Sequence, residues 1–321
     1  MKPALALLVV LSVSGISASQ DLKVREEAVR LLERADAVSS SPKLPNLERV
    51  DAFRAFGGDG VREGSFSRVV IQGTGTREEY IFGEFHLVNV RTQKQVAAAG
   101  TPGMVPAELI NVLRITPISR LRFDGEDVIH AITERPVAGR GARCIEFDTI
   151  RGQHTDNNEI CVDSANGTLL LQKLGGELAE YSDFFPFAGA LMPGKIMYSV
   201  GGVQKIEISQ TITELTAADA NVLAPPMNAQ MHKLCTTYRR PFGVSMPQPQ
   251  PGTGAGTADV VVRAMVGADG KVYDATVQNS ERDDLNTEAL SLAKRWTFVP
   301  SMCDGHPDSH EADLMLHFQG R

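Results

Sequence analysis

Basic clusters, membrane-length apolar spans and catalytic signatures are all missing from this sequence, and each absence closes off a class of function. Nucleic acid demands a cationic stripe that displaces counterions, and a formal charge of -7 with no Lys/Arg cluster argues against that partner. The longest apolar run, 4–13 after Lys2, falls short of the roughly 20 residues a membrane-crossing helix requires. Small residues continue it through Ser19, so 1–19 reads as an export signal with cleavage expected near Ala18 or Ser19. An uncleaved anchor is the competing reading. No cysteine follows the run, which leaves a lipid anchor without an attachment point.

The catalytic absences are as informative. No GxSxG elbow and no Walker A sequence occur, and His310-Glu311 lacks the second histidine one turn on that a zinc protease needs. Gly252, Gly254 and Gly256 neither follow a strand nor open a helix, so they do not make a phosphate loop. His86, His130, His154 and His232 are scattered, and the pairs Glu126-Asp127 and Asp283-Asp284 read as solvated or helix-capping groups. No catalytic residue, metal ligand or cofactor is expected, and the chain reads as a non-enzyme.

What is present begins with four cysteines behind an export signal, which pair in an oxidising compartment where geometry allows. Three pairings exist on paper. Local pattern favours Cys144 with Cys161 and Cys235 with Cys303. Alternation places Cys144 with Glu146 and Asp148, opposite Ile145 and Phe147, and Cys161 also falls on a polar face. That bridge is therefore expected on the outside of the sheet, in a register that opposes Glu146 to Glu159 and calls for a bulge. Cys303, His306 and His310, with Asp304 and Asp308 alongside, have zinc-site spacing, but a disulfide is the simpler fate of an exported Cys303.

With 42% hydrophobic residues the chain can build two cores. Leu22, Val24, Ala28, Leu31, Leu32 and Ala35 recur at helical spacing and predict an amphipathic helix over 21–37. Runs of β-formers between turn residues predict strands at 66–73, 79–90, 119–123, 127–135, 142–150, 160–163, 167–174, 195–200 and 203–215, with a helix at 105–113. Asn166-Gly167-Thr168 reads as a turn. From 241 to 256 the composition shifts to Pro, Gln, Gly and Thr, which bury no core. The expected division is 1–19 signal, 20–226 helix plus antiparallel sheet, 227–257 linker and 258–321 a second domain.

The last domain has the clearest pattern. Val260, Val262, Ala264 and Val266 alternate, Ala268, Asp269 and Gly270 supply a turn, and 272–278 returns. Leu285, Ala289, Leu292, Ala293 and Trp296 make a helical stripe, and Leu314, Leu316 and Phe318 line one side of a closing strand. This order, with the Asp269-Gly270 turn, the Trp296, Phe298, Pro300 series, Gly305 and the Leu316-His317-Phe318 end, resembles the C-terminal domain of the TonB family. The helix-first, sheet-rich region before it resembles LolA-like periplasmic half-barrel proteins. The fold class expected is thus α+β, a helix and half-barrel-like antiparallel domain followed by a small ββαβ domain. The TonB resemblance implies a periplasmic or envelope protein with a link to TonB-type transmembrane transport. It would bind an envelope or outer-membrane protein by strand addition along Ala312, Asp313, Leu314, Met315, Leu316, His317 and Phe318. A homodimer through the same edge, and a lipid or lipoprotein carrier with an accessory TonB-like module, are the alternatives.

Overall fold

A computed structural model describes residues 14–40, 44–58, 60–116, 121–151, 154–216, 220–250 and 257–319. Residues 1–13 of the expected signal 1–19 and the glycines Gly252, Gly254 and Gly256 lie outside the described residues. In chain order the elements are α1 (Ser14–Ser39), β1 (Leu47–Gly57), β2 (Gly60–Ile71), β3 (Gly75–Phe82), β4 (Phe85–Thr92), β5 (Gln95–Gly100) and α2 (Ala107–Ile115). There follow β6 (Asp127–Val137), β7 (Arg140–Arg151), β8 (His154–Asp163), β9 (Leu169–Leu174), β10 (Glu177–Ser182), β11 (Phe185–Phe187), β12 (Ala190–Met192), β13 (Lys195–Val200) and β14 (Val203–Glu214). The remainder comprises β15 (Gln230–Lys233), β16 (Tyr238–Arg239), β17 (Phe242–Ser245), β18 (Ala258–Val266), β19 (Val272–Ser280), α3 (Asn286–Ala293), β20 (Thr297–Val299), β21 (Ser301–Cys303), β22 (His306–Asp308) and β23 (His310–Phe318). The protein is mostly antiparallel β with a helix at its start. No helix among the described residues is long and apolar enough to cross a membrane. The chain divides into two compact units, one of residues up to 39 with 119–175, the other of 40–118 with 176–321.

In the first unit α1 lies on four antiparallel strands in the order β9-β8-β7-β6. The expected stripe holds in its middle, where Ala28, Leu31, Leu32 and Ala35 are buried, while Leu22 is exposed. Arg25 anchors the helix by donating to the carbonyls of Asp124 and Asp127, at 2.9 and 3.0 Å. Residues 121–123, expected as part of a strand, form none, and Phe123 instead meets the edge of the Phe147 ring at 5.1 Å. The Cys144–Cys161 bridge forms between directly opposed positions. It corrects one expectation, because both cysteines are fully buried rather than on an outer surface. Long neighbours cover that face: Arg135 reaches to 3.7 Å from Cys161 Sγ and also donates to Glu159 at 2.8 Å. Glu146 does oppose Glu159. No bulge separates them; Thr133 donates to Glu146 at 3.0 Å and Arg135 neutralises Glu159, so partners rather than register resolve the repulsion.

In the second unit a long antiparallel sheet runs β15-β5-β4-β3-β2-β1-β14-β13-β10. The segment expected as one strand at 79–90 is a hairpin of β3 and β4, folded at Gly83, whose φ of 58° is the left-handed conformation glycine accepts most readily. β1 has no counterpart among the expected strands. Its residues Asp51, Phe53 and Ala55 are all buried on one face, and the Asp51 carboxylate is held by Arg49 at 2.5 Å and Gln210 at 2.9 Å. A charged residue in a strand reads from sequence as solvent-facing, and here it is internal because its ion pair lies in the same strand.

The stretch 227–257, expected to be a linker, contains β15, β16 and β17. β15 adds to β5, β16 pairs with β21 and β17 pairs with β20, and Cys235–Cys303 joins the same stretch to the C-terminal part. Compactness consequently divides the chain differently from the expected 20–226 and 258–321.

Candidate functional site

The C-terminal module is built on a three-stranded sheet in the order β19-β18-β23. β18 alternates throughout: Ala258, Val260, Val262, Ala264 and Val266 are buried, and the residues between them are partly exposed. The turn to β19 is closed by Gly270 N–H donating to the Gly267 carbonyl at 2.9 Å, and by the Asp269 carboxylate accepting from Lys271 N–H at 3.0 Å. Gly270 has φ of 78°, and a Cβ there would collide with the Phe298 carbonyl, so the chain needs glycine at this point. α3 is shorter than the stripe suggested; a 3-10 turn at Asp283–Leu285 precedes it and it ends at Ala293. All five stripe residues nonetheless enter one core with Val260, Val262, Leu314, Leu316 and Phe318. Trp296 donates its indole N–H to the Pro247 carbonyl at 3.0 Å. Between α3 and the last strand lie β20, β21 and β22, so the order is strand, strand, helix, three short strands and a long one, not the ββαβ expected.

β23 pairs with β18 from Ala258↔Phe318 to Val266↔His310 without a register shift. Among the described residues no other strand pairs with it. Backbone direction can be assigned. Asp259 donates its N–H to the Glu281 carboxylate and its carbonyl accepts from Glu281 N–H, so its polar groups face the β19 side. Directions alternate along a strand, so Val260 faces β23 and bonds to Leu316. On β23 the N–H and C=O groups of Glu311, Asp313, Met315 and His317 then point away from β18, at the outer edge. Side chains alternate at right angles to this: Leu314, Leu316 and Phe318 enter the core, whereas Asp313 and Met315 are exposed and His317 partly so.

Two residues outside the expected set fix that outer face. Arg263 pairs with Glu311 and, at 3.0 Å, with Asp313, and Asp259 meets His317 Nδ1 at 2.6 Å. Arg263 was visible as the one cation in an otherwise apolar alternation, a sign of a structural pair across the sheet.

The opposite edge is covered. Asn111 on α2 donates to the Gln278 carbonyl at 3.4 Å and to Asn279 Oδ1 at 2.9 Å, and Gln278 Nε2 donates back to Asn111 Oδ1 at 3.1 Å. Asn279 also donates to Glu177 at 2.6 Å. Arg114, one turn along α2, bonds Tyr198 Oη at 2.6 Å and Glu177 at 2.5 Å. Burial pushes the Tyr198 phenol pKa above its ordinary range, so it stays neutral.

Both expected disulfides form, Cys144–Cys161 and Cys235–Cys303. Cys303 therefore offers no thiolate to the zinc-like spacing around it, and His306 and His310 are exposed, His310 resting against the Tyr238 ring at 5.4 Å. Among the described residues the one group with metal-like geometry is Cys144, Glu159 and Cys161, and its two sulfurs are bonded to each other.

No curated protein gives a significant match to the chain. Among solved structures, a LolA superfamily protein from Nitrosomonas europaea aligns at 12% identity over 60% of this chain and 96% of its own, with a TM-score of 0.38. A DUF1329 family protein from Desulfovibrio piger aligns at 10% identity over 62% of this chain and 96% of its own, with a TM-score of 0.42. A chain from the MucA/MucB complex of Pseudomonas aeruginosa gives 15% identity, 88% and 100% coverage and a TM-score of 0.29. Superpositions this loose say nothing of a ligand or partner. Residues 256–319, the β18 to β23 module, match the family model of the Gram-negative bacterial TonB protein C-terminal.

Proposed function

We propose that this is an exported, non-catalytic envelope protein that binds a partner protein by accepting an extended segment along β23. The observation that carries the reading is the asymmetry of the C-terminal sheet. Sheet edges are templates for aggregation and are normally blunted; here the β19 edge is covered by α2 through Asn111, while a nine-residue strand, β23, is paired on one side only among the described residues. An added strand would bond to the outward groups of Asp313, Met315 and His317. Its alternate side chains would extend the apolar face of Leu314, Leu316 and Phe318. Two disulfides accord with maturation in an oxidising compartment. The match of residues 256–319 to the Gram-negative bacterial TonB protein C-terminal supports the envelope setting; the outer-membrane identity of the partner and a link to transmembrane transport are part of the proposal.

The test is a photo-cross-linking amino acid at Asp313, in cells, with and without Met315→Pro. Met315 is 49% exposed and its N–H faces outward, so proline removes an edge donor and spares the internal ladder. A cross-link to an envelope protein that the proline abolishes is expected. Cross-links only to a second copy, or no effect of the proline, would refute the reading.

A second reading, a lipid carrier, draws on a cleft of about 330 Å³ in the first unit between α1 and residues 121–123, where Val29, Leu32, Leu121 and Phe123 share the lining with Glu33, Asp36 and Arg122. Lipid detected by mass spectrometry in gently purified protein would favour it, and its repeated absence would count against it.

A further inference from the structure

The sheet that ends in β23 carries a charge it does not balance. Its strands β18, β19 and β23 hold four carboxylates, Asp259, Asp274, Glu311 and Asp313, and one cation of fixed charge, Arg263. Met265 is the direct partner of both Asp274 and Glu311, and Arg263 is the direct partner of Asp313. Opposed residues share a face, and Asp259, Arg263 and Met265 alternate with the buried residues of β18. All five charges therefore stand on the face turned away from the α3 core.

Arg263 is shared between two of these carboxylates. It bonds Asp313 at 3.0 Å and also Glu311, and it comes from the β18 side of both, so their other flank faces the place an added strand would take. The Asp313 side chain stays 55% exposed. Two residues on, Met315 is exposed on the same face, and His317 beyond it is already bonded to Asp259 at 2.6 Å. Along this face the edge runs acid, acid, apolar. Opposite charges paired across two strands stabilise a sheet, and like charges directly opposed weaken it. A second copy of β23 would bring two more carboxylates to this face, with its own Arg263 engaged in the same way; a cationic strand would neutralise the two already there.

We propose that the segment accepted by β23 is cationic: an extended stretch of a partner protein with Lys or Arg at the positions beside Glu311 and Asp313 and an apolar residue beside Met315. Its alternate residues, on the opposite face, are apolar and continue the surface of Leu314, Leu316 and Phe318. This specificity rests on strand addition at β23 and adds what the incoming strand must carry. Its backbone completes the ladder whatever its sequence, and its cations select it from other extended segments.

The test is fluorescence anisotropy of three labelled nine-residue peptides with the full chain. Each alternates valine with threonine, except that the fourth and sixth residues are both lysine, both glutamine or both glutamate; this placement is the same read in either strand direction. The lysine peptide should bind about tenfold more tightly than the glutamate peptide, with glutamine between them. Asp313→Lys, at an exposed position, should reverse that order, and Met315→Pro should abolish binding of all three. Equal affinities that the proline abolishes would overturn the charge selection and leave strand addition standing. Binding that survives the proline, or no binding of any peptide, would overturn both. A lysine preference that Asp313→Lys leaves unchanged would place the selection on other residues and overturn the assignment to this edge. A dimer in sedimentation that Met315→Pro dissolves would give the edge to a second copy, with the same result.

Discussion

Asp51 has no solvent exposure and its carboxylate is satisfied by Arg49 and Gln210, all three on elements at the centre of the long sheet. Removing one member of such a group leaves the other charge buried and unpaired, which is where large losses arise. Asp51→Ala is expected to lower the unfolding free energy by about 3–5 kcal/mol, read as a shift in urea midpoint. Replacing Arg49 and Asp51 together by apolar residues should cost far less than either change alone. Trp296, the one tryptophan, is buried in the C-terminal core and donates to the Pro247 carbonyl. Its fluorescence therefore reports on that core alone. Trp296→Ala should cost about 3–5 kcal/mol through the cavity it leaves, measured by circular dichroism because the fluorophore is gone.

Elements are the scale at which periodicity was readable. The alternation of Val260, Val262 and Ala264 marked β18, the i, i+3, i+4 stripe marked α1 and α3, and the face shared by Cys144 and Cys161 marked a bridge across two strands. β1 was not readable, because Arg49 and Asp51 imitate a solvated face when their compensation is a mutual ion pair and Gln210 comes from a strand far along the chain. β15, β16 and β17 were hidden for a related reason. Each is a few residues long in a Pro/Gln/Gly-rich stretch and exists only because β5, β21 and β20 supply its ladder. The β18–β19 turn is the element most dependent on one residue. Gly270→Ala forces a Cβ into a left-handed turn and against the Phe298 carbonyl, so a loss of at least about 1 kcal/mol is expected. Met315→Pro at the exposed edge should by contrast leave the thermal midpoint nearly unchanged.

Across the whole molecule, ionisation and cross-links set the conditions under which the fold survives. The Arg143 hydrogen bond holds the Glu27 carboxyl below its usual pKa; hydrogen bonds from Asn157 and then His130 do so for Asp148, and one from Lys195 for Glu207. A carboxyl depressed on folding contributes stability above its unfolded pKa and loses it as pH falls through the folded value. Burial raises the phenols of Tyr80, Tyr181 and Tyr198, whose contribution is full below about pH 10 and is lost as pH rises through the unfolded value. The urea midpoint should be flat between about pH 5 and 9 and fall on both sides; a monotonic profile would contradict these pairings. The two disulfides should differ in access. Cys144 and Cys161 are fully buried, whereas Cys235 and Cys303 are partly exposed. Mild dithiothreitol followed by alkylation and mass spectrometry should label the second pair first, and the first pair only as the protein unfolds.

Sequence alone determined which residues are apolar partners at short range: the helix faces, the hairpin with its Asp-Gly turn, the alternation of the last strand and the parity that allows Cys144 to meet Cys161. These depend on periods of 3.6 and 2 and on local backbone preference, which a few neighbouring residues encode. Only the tertiary structure decided which strand edge is covered and which is open. Asn111 caps β19 from more than a hundred and fifty residues earlier, and no local pattern carries a contact at that range. The same holds for the burial of the first disulfide under Arg135, since that cover is made by side chains that meet only after the chain has folded back on itself.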